Sequence, residues 1–157
     1  MSALVLWGPR WRSDQKDISL REAAAQRGIE EFFSSSGCYT KVQILRTVGG
    51  RAAIDLSDSE IQHLTAATAA RPSRAIVIVV RELGPVVKLL ASAALVEGGT
   101  EVVLDIRARS LNQAATLAAF KAHWQHGGPG VIKGVATLEQ DMRSALHEAL
   151  QPRSARP

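Results

Sequence analysis

The sequence predicts an α/β chain, more narrowly an α+β two-layer sandwich with the element order β-α-β-α-β-β-β-α. The helices are expected on one face of a mostly antiparallel sheet. Residues 75–80 (AIVIVV) are apolar on both faces, which is typical of a central strand. Residues 102–109 and 118–125 alternate apolar and polar side chains, as the two arms of a hairpin do. Three Ser/Thr-x-x-Glu/Gln patterns open helical apolar stripes.

Length and composition are those of a globular protein. The chain has 157 residues, of which 46% are hydrophobic and 22% are charged, and this is enough for a real core. We expect a single α/β domain at residues 1–151 and a flexible tail at residues 152–157. The net charge of +4 comes from scattered basic residues. It permits an anionic partner without requiring one.

The first strand and the first helix follow each other directly. Residues 3–8 (ALVLWG) are apolar and end at Gly-Pro, which favours a buried strand. Residues 19–22 (SLRE) match a capping box, in which the serine and the glutamate each satisfy a free backbone N–H. The helix that this box opens is expected to end near Gly37.

A second strand and a shorter helix come next. Residues 39–48 alternate apolar and polar side chains, which indicates a half-buried strand. Residues 57–60 (SDSE) form a second capping box and open a helix that runs to about residue 70. Pro72 prevents this helix from continuing.

Residues 85–96 (PVVKLLASAALV) are compatible with a helix or a strand. A proline at the start and Gly98-Gly99 after the end are boundaries typical of a helix. Residues 97–100 (EGGT) instead read as a hairpin turn that leads into the next strand. We favour the strand.

The hairpin and a closing helix complete the fold. Residues 137–140 (TLEQ) form the third capping box, and the apolar stripe of a helix follows them. One face of the hairpin is apolar and is expected to lie against the central strand. The residues expected to be nearly buried there are Ile78, Leu104, Ile106, Phe120 and Trp124.

No motif predicts a catalytic or metal site. His123 and His126 lie three residues apart on a predicted strand, so their side chains should point to opposite faces and cannot share a metal ion. Cys38 is the only cysteine, which excludes an intrachain disulfide, and no base accompanies it. We therefore expect no enzyme activity, no cofactor and no metal. The alternative is an enzyme with a site built from dispersed residues, which would involve Asp105, His123 or Lys133.

The stretch WGPRWR suggests a binding surface. Trp11 lies between Arg10 and Arg12, just after the first strand. An aromatic ring flanked by guanidinium groups suits a mixed apolar and cationic contact with a protein partner or with membrane headgroups. We expect Trp11 at the surface, where it would serve this contact.

The order of the elements resembles a known group of proteins. The segments that carry the resemblance are ALVLWG, LREAAAQRGIEEFF, AIVIVV, EVVLDIRARSLNQAATLAAFKAHW and LEQDMRSALHEAL. Together they look like bacterial envelope lipoprotein domains of the TolB amino-terminal, CsgG and PelC type, and like auxiliary lipoproteins of outer-membrane transporters. In these domains a similar hairpin ends near an aromatic residue, as it does here at Phe120 and Trp124.

The resemblance implies a non-catalytic, periplasmic and outer-membrane-associated accessory or scaffold subunit. Such a subunit supports an export, transport or assembly system through protein partners, often as a homo-oligomer. Family members usually begin with a lipid-modified cysteine. Residues 1–12 contain no cysteine and lack the basic start and apolar centre of a leader, which we expect either of a mature domain without its leader or of a cytoplasmic protein. A cytoplasmic module that binds nucleic acid through Arg10, Arg12, Arg107 and Arg109 is the alternative, but nucleic acid is not the expected partner because aromatic residues are scarce.

Overall fold

A computed structural model describes residues 1–47, 53–68, 71–90, 95–131 and 133–151, without the side chains of residues 54, 87–90 and 95–97. The strands are β1 (Ser2–Pro9), β2 (Lys41–Arg46), β3 (Arg74–Leu90), β4 (Leu95–Ser110) and β5 (Ala115–Pro129). The helices are α1 (Ile18–Ser35), α2 (Asp58–Ala66) and α3 (Leu138–Leu150), with short 3-10 turns at Ala53–Asp55 and Val135–Thr137. The predicted tail at residues 152–157 lies outside the described residues.

The five strands form one sheet in the order β2-β1-β3-β4-β5. Strand β1 runs parallel to both β2 and β3, whereas β3, β4 and β5 form an antiparallel meander. The predicted α+β fold and its element order are confirmed. The sheet is mixed rather than mostly antiparallel, because helical crossovers connect strands that run in the same direction.

The main core lies between the sheet and helices α1 and α3. Its largest fully buried side chains are Trp7, Ile29, Phe33, Ile76, Ile78, Leu83, Leu104, Ile106 and Leu138. A second core lies on the opposite face of the sheet and includes Leu4, Leu6, Val77 and Ile61 of α2. The expectation that all helices share one face is therefore wrong for α2. Strands β1 and β3 are apolar on both faces, so each face needs a cover.

Residues 85–90 belong to β3 and residues 95–96 to β4, which confirms the strand preferred for these parts of the ambiguous segment. Residues 91–94 of that segment lie outside the described residues. The predicted turn at residues 97–100 is wrong, because these residues pair with β3 inside β4. Their glycines serve close packing instead. A Cβ atom on Gly98 would lie 2.0 Å from the carbonyl oxygen of Val131, and one on Gly127 would lie 2.2 Å from the carbonyl oxygen of Gly98.

Only one of the three predicted capping boxes forms. Ser57 Oγ accepts a hydrogen bond from the backbone N–H of Glu60 at 3.3 Å, and Glu60 Oε2 accepts one from the backbone N–H of Ser57 at 2.8 Å. Thr137 does not cap α3, because its hydroxyl donates to Asp141 Oδ2 at 2.8 Å. In α1 the helix begins at Ile18, one residue before the predicted box.

The residues that were predicted to be buried differ in exposure from strand to strand. Ile78, Leu104 and Ile106 are no more than 1% exposed, as predicted. Phe120 is 39% exposed and Trp124 is only partly buried, so the prediction is wrong for these two. Helices α1 and α3 cover β1, β3 and β4, but only Ala122 and Trp124 of β5 reach the main core. Among the described residues, no helix is both long enough and apolar enough to cross a membrane.

The two packing environments predict different costs for the same substitution. Leu104 is 0% exposed and Leu20 is 56% exposed. Leu104→Ala should lower the free energy of unfolding by about 2–5 kcal/mol, because it leaves a cavity in the main core. Leu20→Ala is the matched control and should change it by about 0.5 kcal/mol or less. Equal losses in denaturant unfolding would contradict the assignment of the core.

Tyr39 provides a second test of the packing, because it is the single tyrosine. Its ring centroid lies 5.8 Å from that of Phe33, and burial raises the pKa of its phenol above the ordinary 10.0, with a smaller opposing effect of Arg74. The neutral phenol is thus favoured by folding. Its contribution to stability is complete below pH 10.0 and is lost as the pH rises through the folded pKa. Phenolate absorbance should titrate later in the folded protein than in denaturant, and a midpoint at or below the unfolded one would refute this packing.

Candidate functional site

The candidate site lies where β3 extends past β1. Strand β1 pairs with β3 as far as Val80, whereas β3 continues to Leu90. The chain that leaves β1 forms the Trp11 loop, which we define as residues 10–17. Its first residue, Arg10, donates its backbone N–H to the carbonyl of Val80 at 2.9 Å and so extends the pairing by one bond. This arrangement places the loop at the edge of β3 that β1 leaves open.

Arg21 holds the Trp11 loop against that edge. Its residue exposure is 7%, which is unusual for an arginine. The Nε atom donates to the carbonyl of Lys16 at 2.7 Å, and Nη1 donates to the carbonyl of Leu83. The guanidinium thus donates a hydrogen bond to a carbonyl of β3 that lies beyond the end of β1. A Cβ atom on Gly84 would lie 1.6 Å from Nη1, so a side chain there would displace the guanidinium.

Glu82 is the centre of a polar network below the loop. Its carboxylate lies 3.3 Å from Arg21 Nη1 and 3.3 Å from Arg12 Nη2, and it accepts a hydrogen bond from Gln15 Nε2 at 3.1 Å. The Arg21 side chain is 8% exposed and that of Arg12 is 66% exposed. The buried arginine already neutralises the carboxylate, and the exposed Arg12 is shared between Glu82 and Asp14, which lies 3.9 Å from its Nε atom.

Trp11 is half-buried, and this corrects the expectation that it lies at the surface. Its ring packs partly against the main core, and its Nε1–H donates to Glu22 Oε1 at 3.3 Å. The other oxygen of Glu22 accepts a hydrogen bond from Arg46, whose guanidinium lies 5.4 Å from the ring centroid of Trp7. The glutamate predicted to cap α1 therefore orients the tryptophan instead.

The three predicted residues share one open pocket of about 700 Å³. Its lining includes Arg10, Trp11, Arg12, Arg21, Arg81, Glu82, Pro85, Val86, Glu101 and Val103. Four arginines and two glutamates line it, and apolar side chains lie among them. Asp55, Asp14 and Asp105 lie against Arg10, Arg12 and Arg81. Such a surface suits a mixed polar and apolar contact.

The two histidines of HWQH lie on opposite faces of β5, as the strand spacing predicts. His123 Nε2 is 2.6 Å from Glu101 Oε1. His126 stacks on Trp124 and has Lys133 Nζ 2.5 Å from its Nδ1. Within the described ranges, no group of three or more His, Cys, Asp or Glu side chains is arranged to hold a metal ion.

The residues of the alternative enzyme hypothesis are not brought together. Asp105 forms an ion pair with Arg81. His123 lies on the same face of the sheet as Asp105 but contacts Glu101. Lys133 lies 3.4 Å from Asp141 of α3, on the side of the main core. Three separate networks therefore hold the three candidate groups.

Arg107 and Arg109 have structural partners, which the sequence did not indicate. Arg107 Nη2 donates to the carbonyl of Leu56 at 3.0 Å. Arg109 is 6% exposed, forms an ion pair with Asp58 and donates to the carbonyl of Ala114 at 3.1 Å. The ion pair between Arg109 and Asp58 connects β4 to the start of α2. Sequence reasoning missed this role because it placed α2 on the other face.

Alanine substitution of the two arginines in the Glu82 network should change the free energy of unfolding by different amounts. Arg21→Ala should lower the free energy of unfolding by about 2–4 kcal/mol, since it removes the buried positive charge beside Glu82 and the donor of two backbone carbonyls. Arg12→Ala removes an exposed ion pair and should change it by about 1 kcal/mol or less. Denaturant unfolding of both variants is the measurement. Similar values would show that Arg21 does not support the loop.

Comparison with known proteins identifies the fold. No family model and no curated protein matches the chain. A solved dodecamer of PelC from Paraburkholderia phytofirmans is similar at a TM-score of 0.50 and 10% identity, with 92% of this chain and 85% of that chain covered. Lipoprotein GNA1162 from Neisseria meningitidis is similar at a TM-score of 0.53 and 13% identity, with 96% and 99% covered. The chain has the fold of these two proteins, which confirms the predicted resemblance at the level of structure.

Proposed function

We propose that this chain is a non-catalytic, periplasmic and outer-membrane-associated subunit that supports a bacterial export, transport or assembly system. The observation that carries the proposal is the fold shared with lipoprotein GNA1162, which covers 96% of this chain and 99% of that protein. A lipoprotein is held at a membrane by its lipid, and its folded part is then free to bind partners.

Self-association is part of the proposal. The similar PelC structure is a dodecamer. Identical subunits commonly assemble with closed symmetry, in which one surface serves every copy. We therefore infer that the present chain also acts as a homo-oligomer, in addition to contacting other envelope proteins.

The Trp11 loop is proposed as the surface for a partner or for the membrane. Arg21 and Glu82 fix the loop from below, so its contact groups are held in place before any partner arrives. Arg10 and Arg12 form exposed ion pairs with Asp55 and Asp14 at 3.9 Å, which an anionic group of a partner can replace. The partly exposed ring of Trp11 then packs against the apolar part of that partner. The chemistry of the partner is thus an acidic protein surface or an anionic lipid headgroup.

Cell fractionation tests the location. The native gene, expressed from its own chromosome, should yield protein in the outer-membrane fraction, and affinity purification after crosslinking should recover envelope proteins. Recovery only in the cytoplasmic fraction would refute the proposed location.

A double variant tests the loop. Trp11→Ala/Arg12→Ala should lose binding to envelope partners or to vesicles of phosphatidylethanolamine and phosphatidylglycerol, because both the ring and the exposed charge are gone. The vesicle assay alone separates the lipid from the protein partner. Trp11→Phe/Arg12→Lys should retain most binding, and Arg143→Ala, which removes an exposed arginine of α3, should retain all of it. Unchanged binding of the alanine variant in both assays would contradict the role of the loop.

A further inference from the structure

Strand β5 is the outer strand of the sheet on one side, and it is unusually open. It has 15 residues, and none of them is buried. Leu117 is 44% exposed and Phe120 is 39% exposed. An outer strand has unpaired backbone N–H and C=O groups along its open side. A long outer strand that also exposes apolar side chains can therefore pair with another chain.

The opposite outer strand is protected, whereas β5 is not. Strand β2 has six residues, with Lys41 at its start and Arg46 at its end. Short length and charged ends are common means of preventing strands from pairing between molecules. Across residues 115–129, Lys121 is the only Lys, Arg, Asp or Glu. In the part of the chain that the structure describes, no strand pairs with the outer side of β5.

We propose that β5 pairs in an antiparallel manner with β5 of a second copy of this chain, about a two-fold axis. The lengths of the two outer strands favour this partner. Pairing of β5 with β2 of another copy would leave most of β5 open, whereas two copies of β5 match each other over their whole length. Fifteen residues extend about 50 Å, and an edge about 10 Å thick then buries roughly 1,000 Å² over both copies. This is about the smallest area that a specific interface buries.

The side chains select the register. Pairing centred on Lys121 would place two ammonium groups opposite each other, which is unfavourable. Pairing centred on Ala122 spans the strand from end to end, with the bulge at Leu117 near each end, and places a small side chain on the axis. It also sets Phe120 of each copy opposite Trp124 of the other, and cross-strand aromatic pairs stabilise a sheet. The exposed ring of Phe120, which the isolated chain leaves uncovered, thereby gains a partner.

The inference rests on the self-association included in the proposed function and names the surface that produces it. Disulfide crosslinking tests it in a Cys38→Ser background, in which no other thiol is present. Opposite residues of antiparallel strands have Cα atoms about 4.5–5.5 Å apart, which a disulfide spans. Ala122→Cys should therefore form a covalent dimer under mild oxidation. Ala118→Cys is the matched control, because this register separates the two copies of residue 118 by eight positions.

A second variant tests the interface without a thiol. Phe120→Asp should shift the protein toward the monomer in light scattering at micromolar concentration, while circular dichroism stays unchanged. Leu20→Asp, at an exposed position of α1, should leave the oligomer intact. An oligomeric wild-type protein whose Ala122→Cys variant crosslinks no more than Ala118→Cys would overturn the β5 interface and leave the proposed function standing. A wild-type protein that is strictly monomeric would overturn both the β5 interface and the proposed self-association.

Discussion

Strand β3 is apolar on both faces through residues 75–80, and the architecture follows from the need to cover it twice. All six side chains are no more than 1% exposed. Helices α1 and α3 cover one face and α2 covers the other, while β1 and β4 occupy its two sides. The parallel pairing of β1 with β3 and the short second helix are both consequences of placing this strand in the centre.

The candidate site depends on the same strand. The register of β3 against β4 shifts between Val80 and Glu82, which is a β-bulge. After the bulge Leu83 returns to the main core, so β3 continues beyond β1 without losing its apolar face. The carbonyl of Leu83 then lies beyond the last residue pair with β1, and it accepts a hydrogen bond from the buried guanidinium of Arg21. Arg21 already neutralises Glu82, so Arg12 lies at the surface between Glu82 and Asp14.

Local patterns predicted the elements better than they predicted their neighbours. The β-branched run at residues 75–80 and the alternation of the hairpin specify strands through backbone geometry alone, and both were correct. The face covered by α2 was not predictable in this way, because it depends on which strands are apolar on both sides. Phe120 fits the apolar period of β5, but the pattern carries no information on whether a helix covers that end of the strand. The Trp11 loop was recognisable from its composition, whereas the contribution of Arg21 required the fold, since Leu83 lies 62 positions away.

The position of β1 between β2 and β3 has a consequence for the order in which the chain acquires structure. Ser2 pairs with Lys41 and Ala3 pairs with Arg74, so the first strand has no partner on its β3 side until more than 70 residues are available. Closing a loop of that length is entropically costly, whereas the β3-β4-β5 meander needs only short loops. We therefore expect the meander to form early and the N-terminal segment to insert last. A polypeptide built in this way stays loose through its first half, whether it emerges from a ribosome or from a translocation channel, and becomes compact only when the second half is delivered.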